Sequence, residues 1–179
     1  MPMLDLFIPD GALTPDAEAA LIDDLTTFML KIEGADPTNP FAREIGWAYV
    51  HRSALYVGGS PSAKPRYRIL ASVPQGNING ADRKAEIVSY ITSAVLRAEG
   101  GDGTEGAERV WVFPLEIPEG HWGGAGQVFG LEQLFTLTTG DPTRAASMAQ
   151  KRLSANRAER DQIGRVGEAR KAASHDRVP

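Results

Sequence analysis

Polar and apolar positions alternate from the first residues of the chain. Pro2, Leu4, Leu6 and Ile8 fall on one side of an extended segment, the period of two that marks a half-buried strand. Pro9-Asp10-Gly11 ends it, and Thr14 followed by Pro15 reads as a helix N-cap with proline at the first helical position. The period then changes. Ala17, Ala20, Leu21, Leu25, Phe28, Met29 and Ile32 form one apolar stripe of a helix that Gly34 stops. A Pro/Asn loop from Asp36 to Pro40 leads to a second strand over about Ile45 to His51, closed by a turn at Gly58-Gly59.

The same succession recurs about 65 residues later, and a fixed internal period shapes the reading of the whole fold. Ile8-Pro9-Asp10-Gly11 returns as Val73-Pro74-Gln75-Gly76, and Gly58-Gly59 as Gly123-Gly124. Tyr67, Ile69, Ala71 and Val73 alternate as a strand. Asn79 or Gly80 opens a helix with the expected stripe Ala81, Ala85, Val88, Ile91, Val95 and Ala98. Gly100 to Gly106 is a connector, Arg109 to Ile117 a strand, and Gly120 to Gly130 a glycine-rich hairpin.

Long β-α-β crossovers imply parallel strands within each unit, joined with right-handed chirality. The expected fold class is therefore α+β. Two pseudo-repeated β-α-β units, residues 2–65 and 66–130, form one mixed four-stranded sheet with two helices on one face and short hairpin strands besides. The bare face then requires a cover, and further copies of the chain supply it most simply. The doubled unit and the hairpin after it are expected to form one domain over 1–142. Residues 143–179, rich in Ala, Arg and Glu, are expected to form a basic helical or partly disordered C-terminal arm.

Charge sharpens this division. Residues 1–142 hold 10 basic and 19 acidic side chains, net −9, whereas 143–179 hold 9 and 4, net +5. The arm mixes both signs and lacks aromatics, so attraction to an acidic body explains it better than nucleic-acid binding. The absence of cysteine excludes disulfides and thiolate chemistry. No apolar run approaches the ~20 residues of a membrane span, and no signal-peptide pattern opens the chain. A cytoplasmic protein that binds neither membrane nor nucleic acid is expected.

Two groups carry candidate chemistry. Removal of Met1 would leave Pro2 as a free secondary amine. An α-amino group has an ordinary pKa of ~7.7–8.0, and burial beside apolar residues disfavours its charged form, which poises it as a general base near neutral pH. The second group is Glu116-Ile117-Pro118-Glu119-Gly120-His121-Trp122-Gly123, which sets an imidazole and an indole on a hairpin rim. The histidines (His51, His121, His175) lack metal-ligand spacing, and no phosphate-cradling glycine loop or serine nucleophile elbow is present. Neither a metal nor a cofactor is expected.

Pro2, the doubled β-α-β unit and the Glu-x-x-x-Gly-His-Trp-Gly hairpin together resemble the tautomerase superfamily, over about residues 2–140. The likeness is to its fused two-unit branch, which includes macrophage migration inhibitory factor, malonate semialdehyde decarboxylase and cis-3-chloroacrylic acid dehalogenase. The hairpin is similar to that of 4-oxalocrotonate tautomerase. The resemblance implies that Trp122 borders the active site. It also sets Phe113 where the cis dehalogenase has a catalytic tyrosine, and His121 roughly where it has a water-activating glutamate. The family's substrate-binding arginines correspond to Ala12, Asn77, Gly46 and Trp111, and its helix histidine to Met29; no arginine stands at any of them.

The expected function is thus a cofactor-independent tautomerase, an isomerase acting on a small carbonyl compound. Pro2 is its general base for keto–enol proton transfer. Asn77, Gln75 or His121 stabilises the enolate, Phe113 and Trp122 shape the pocket, and Arg43 is one candidate cation among Arg43, Arg52, Arg66 and Arg68. Two alternatives stand beside it. One is a lyase of hydratase or dehalogenase type, with Pro2 protonated and His121 activating water for an unsaturated acid. The other is a trimeric, non-catalytic relative.

Overall fold

The computed structural model describes residues 2–175, with side chains through residue 165; Met1 and the end of the tail near Pro179 lie outside the described residues. The first strand, β1 (Met3–Phe7), carries Leu4 and Leu6 inward, and Pro2 and Ile8 are buried on the same side. Thr14 caps α1 (Pro15–Ile32), its hydroxyl accepting the Ala17 amide N–H at 3.2 Å with Pro15 at the first helical position. A short helix α2 (Pro40–Glu44), capped by Asn39, delivers the chain to β2 (Trp47–His51). β3 (Tyr56–Val57) and β4 (Ser60–Pro61) form a small hairpin. Its turn residues Gly58 and Gly59 both have positive φ (59° and 82°), as a type I′ connection requires.

The second unit repeats the first with β5 (Tyr67–Pro74), α3 (Ala81–Ala98) and β6 (Val110–Ile117). The sheet order is β2-β1-β5-β6. Strands are parallel within each unit, while β1 and β5 run antiparallel in the centre. Helices α1 and α3 pack on one sheet face over a core that includes Leu4, Leu6, Leu25, Met29, Ile69 and Ile91. This is the expected mixed four-stranded α+β architecture.

One detail of the expected α3 stripe is corrected. The buried residues are Ile87, Ile91, Ala94, Val95 and Leu96, whereas Ala81, Ala85 and Val88 are exposed. The first turns of α3 bury little, and the larger side chains set the helix's rotation because they remove more apolar area from water.

The opposite sheet face is uncovered. Trp47, Tyr49, Trp111, Phe113 and Leu115 are all exposed there, Trp111 to 65%. After β6 come the hairpin strands β7 (Trp122–Gly124) and β8 (Gln127–Phe129), then α4 (Leu131–Thr139) and the long α5 (Pro142–His175). Helices α4 and α5 form a second small core from Leu131, Phe135, Ala145 and Ala149. None of the described helices is long and apolar enough to cross a membrane.

Candidate active site

The antiparallel centre of the sheet decides what stands beside Pro2. Met3 pairs with Ser72, so one residue further along Pro2 faces Val73, with Pro74 and the loop Gln75 to Gly80 just beyond. On its other flank the Pro2 carbonyl accepts the Trp47 amide N–H at 3.2 Å. Gly46 leaves the side of the prolyl ring open: a Cβ there would meet Pro2 Cδ, the carbon bonded to the ring nitrogen, at 3.6 Å. Pro2 itself is buried.

A cavity of about 290 Å³ adjoins this end of the sheet. Ala42 and Pro74 are among its lining residues and Pro2 is not; Pro74 follows Val73, the residue opposite Pro2. Glu33, Asn77 and Arg144 give it polar groups, and Leu131 and Phe135 close it from α4. Two segments outside the doubled β-α-β unit, α4 and α5, thus supply much of the wall.

The C-terminal arm is docked on its own chain by polar contacts to the loop after β5. Arg152 donates to Asn77 Oδ1 and, at 2.9 Å, to the Glu33 carbonyl. Its guanidinium also lies 4.9 Å from the Phe135 ring centroid. Asn156 accepts from Gln75 Nε2 at 2.8 Å and donates to Asn79 Oδ1 and Glu116 Oε2, both at 2.8 Å. Glu159 accepts from the Gly80 amide at 2.9 Å and from Lys84 Nζ at 2.8 Å; the Lys84 bond, then the Gly80 bond, hold its carboxyl below the usual glutamate range. Burial lowers the Arg152 pKa, and the nearby Arg83 adds to this while Glu33 opposes it. Its fully formed contacts offset the cost of burying the charge.

These bonds commit two expected enolate donors to structure. Asn77, 2% exposed, donates from Nδ2 to Glu33 Oε1 at 3.0 Å while its Oδ1 is held by Arg152. Gln75 uses Nε2 on Asn156 and Oε1 on the Glu119 amide at 2.9 Å. Of the two, Asn77 lines the cavity. Arg43 points away from it: its guanidinium pairs with Asp23 and donates to Thr27 Oγ1 at 3.1 Å.

His121 and Trp122 stand apart. His121 is exposed in the turn before β7, its amide bonded to the Pro118 carbonyl at 3.0 Å, and Trp122 is buried within the hairpin unit. Phe113 lies on the bare sheet face, 5.6 Å from the Arg68 guanidinium. Within one chain, none of these three is among the described residues of the cavity wall.

Sequence reasoning missed Arg144, Arg152, Asn156 and Glu33. Arg152 and Asn77 are 75 positions apart, and no periodicity encodes a polar contact at that separation. The roof itself had a signal: Leu131, Leu134 and Phe135 have the i, i+3, i+4 spacing of an amphipathic helix.

Comparison with known proteins gives a fold and no closer relative: no family model and no curated sequence matches. Among solved structures, a member of the cis-3-chloroacrylic acid dehalogenase family is 21% identical, aligning over 83% of this chain and 99% of its own at a TM-score of 0.58. A fused 4-OT, a wild-type symmetric trimer, is 23% identical over 70% of this chain and 93% of its own, TM-score 0.55. A macrophage migration inhibitory factor homologue from Prochlorococcus marinus is 16% identical over 72% and 99%, TM-score 0.55. The chain therefore has the tautomerase-superfamily fold in its fused two-unit form.

Proposed function

We propose that this protein is a cofactor-independent tautomerase-like enzyme in which Pro2, freed by removal of Met1, is the general base. The observation that carries the reading is the burial of Pro2 beside Gly46, at the end of the sheet that a cavity of about 290 Å³ adjoins. The neutral prolyl nitrogen takes the hydroxyl proton of a bound enol, and the oxygen's electron pair forms the carbonyl. The π pair of the former C=C then takes a proton from the prolinium at carbon, which restores the neutral amine. Its substrate is a small carbonyl compound, a reading that a cavity of about 290 Å³ supports by size.

A homotrimer belongs to the same proposal. The uncovered aromatic sheet face needs a cover, and a fused 4-OT of the same fold is a symmetric trimer. In such an assembly Phe113 and the His121–Trp122 hairpin meet neighbouring copies rather than the cavity of their own chain.

The test is turnover of the enol of a small 2-oxo acid, followed by ultraviolet absorbance, with three forms: wild type, Pro2→Ala, and a form that retains Met1. Turnover confined to the wild type is expected. Equal rates in all three sink the proposal.

A further inference from the structure

The apolar core is divided. One cluster of buried residues lies between the sheet and helices α1 and α3; the other joins α4 to α5, and the two share no member. The cavity of about 290 Å³ stands at the seam between them. Glu33, Ala42 and Pro74 line it from the sheet side, and Leu134, Thr138 and Met148 from the helix pair. The pair follows the rest of the chain through one connection, residues 118–130.

One face of α5 shows what holds each side. Ala145, Ala149, Arg152, Asn156 and Glu159 succeed one another at steps of four and three, which places them on a single helical face. The first two are apolar and belong to the cluster shared with α4. The other three are polar and bond across the seam: Arg152 to Asn77 and Glu33, Asn156 to Gln75, Asn79 and Glu116, Glu159 to Gly80 and Lys84. Asn79 Nδ2 also donates to the Arg152 carbonyl at 2.8 Å. Gly34 and Gly76, both with positive φ, leave room for this contact. A Cβ on Gly34 would meet the Arg152 guanidinium at 2.8 Å, and one on Gly76 would meet Arg152 Cβ at 3.3 Å. Separating apolar surfaces wets them, whereas a polar bond is exchanged for one to water at small net cost. The easier opening therefore runs along the polar seam and leaves α4 on α5. Opening also wets Leu134, which keeps the closed form dominant.

We propose that α4 and α5 form a cap that swings as one unit about residues 118–130, and that Arg152, Asn156 and Glu159 are the latch that closes it over the cavity. Access to the cavity is then set by the cap, whether or not Pro2 is a catalytic base. In the closed form Ala42 and Leu134, on opposite walls, are 1% and 3% exposed. In the open form both meet solvent together, while Ala71 stays buried in the sheet core.

The chain has no cysteine, so a single introduced thiol reports the motion without background. Ala42→Cys and Leu134→Cys place one on each wall, and Ala71→Cys places one in the sheet core. Each full-length variant is labelled with a disulfide reagent that releases a coloured thiolate, in native buffer and in low urea. The two wall thiols should react within a few-fold of each other, about 100-fold or more faster than the core thiol, and with little dependence on urea. Arg152→Met, added to either wall variant, should speed labelling about 10-fold, as loss of a bond to a charged group does. Asn156→Ala should act in the same direction, and Arg157→Gln, an exposed position of the same helix, should change nothing. Labelling of all three thiols at one rate with one steep urea dependence overturns the cap, as does fast labelling at one wall alone. Wall labelling indifferent to both Arg152→Met and Asn156→Ala overturns the latch.

Discussion

The two halves of the sheet share a plan and differ at their starts. An offset of 65 residues brings Pro2 onto Tyr67 and Gly46 onto Trp111. At the first start, a buried proline stands beside a glycine, at the end of the sheet adjoined by a cavity that α4 and α5 help to wall. At the second, Tyr67 is buried, and its hydroxyl is the one buried side-chain polar atom among the described residues without a well-formed hydrogen bond. Its pKa is pushed up to about 12, first by burial and then by the Glu99 carboxylate, so the phenol stays neutral. Glu99 itself is held by Arg109 through bonds of 2.9 and 2.5 Å. The space here is a wider groove of about 630 Å³, bordered by Phe7, Tyr56, Arg68 and Trp111. The repeated β-α-β unit thus repeats the scaffold and sets a proline at one start and a tyrosine at the other. The lesson is that fold symmetry does not carry site symmetry.

The comparison breaks most clearly under paired substitutions of the two starts. Pro2→Ala should lower turnover of a small enol by roughly 10²- to 10⁴-fold, the range for loss of a positioned base. Tyr67→Phe should leave it unchanged; steady-state kinetics on both variants checks this. Next in size is Gly46→Val, which brings a side chain toward Pro2 Cδ, where a Cβ alone sits at 3.6 Å. A fall in kcat/KM on the order of 10- to 100-fold is expected from displaced substrate, with the melting temperature nearly unchanged.

Arg152→Met tests the roof that only the first end has. It leaves Asn77 Oδ1 and the Glu33 carbonyl without their donor, and should cost about 1–3 kcal/mol in urea denaturation. The smallest effect at neutral pH belongs to Tyr67. Because its folded pKa of about 12 lies above the ordinary value of 10.0, its contribution is complete below pH 10 and is lost as pH rises from 10 toward 12. Denaturant melts across this window should show that loss in the wild type and a smaller one in Tyr67→Phe.

How much of this was legible in the sequence follows the range of the interactions. The strand residues Pro2, Leu4, Leu6 and Ile8 and the Thr14-Pro15 start of α1 are set by neighbours within a few positions, and both stand as expected. The stripe of α3 was less legible because Ala81 and Ala85 count as apolar in a pattern yet bury little area, so Ile87 and Ile91 set the rotation. The arm's contacts were not legible at all. Gln75 and Asn77 attracted notice as polar residues after a strand, which is where a ligand or another part of the chain can claim them. Which of the two does so depends on packing 75 or more residues away. Arg144 escaped notice for the same reason: on a mixed-charge helix, nothing local marks the arginine that comes to line a cavity.

The claim at the centre of the account is that Pro2 bears the reactive amine. Intact mass spectrometry of the purified full-length protein tests it most directly. A mass short of the encoded chain by one methionine residue, with sequencing that begins at Pro2, is the predicted result. A chain that keeps Met1 and still turns over an enol substrate would contradict it.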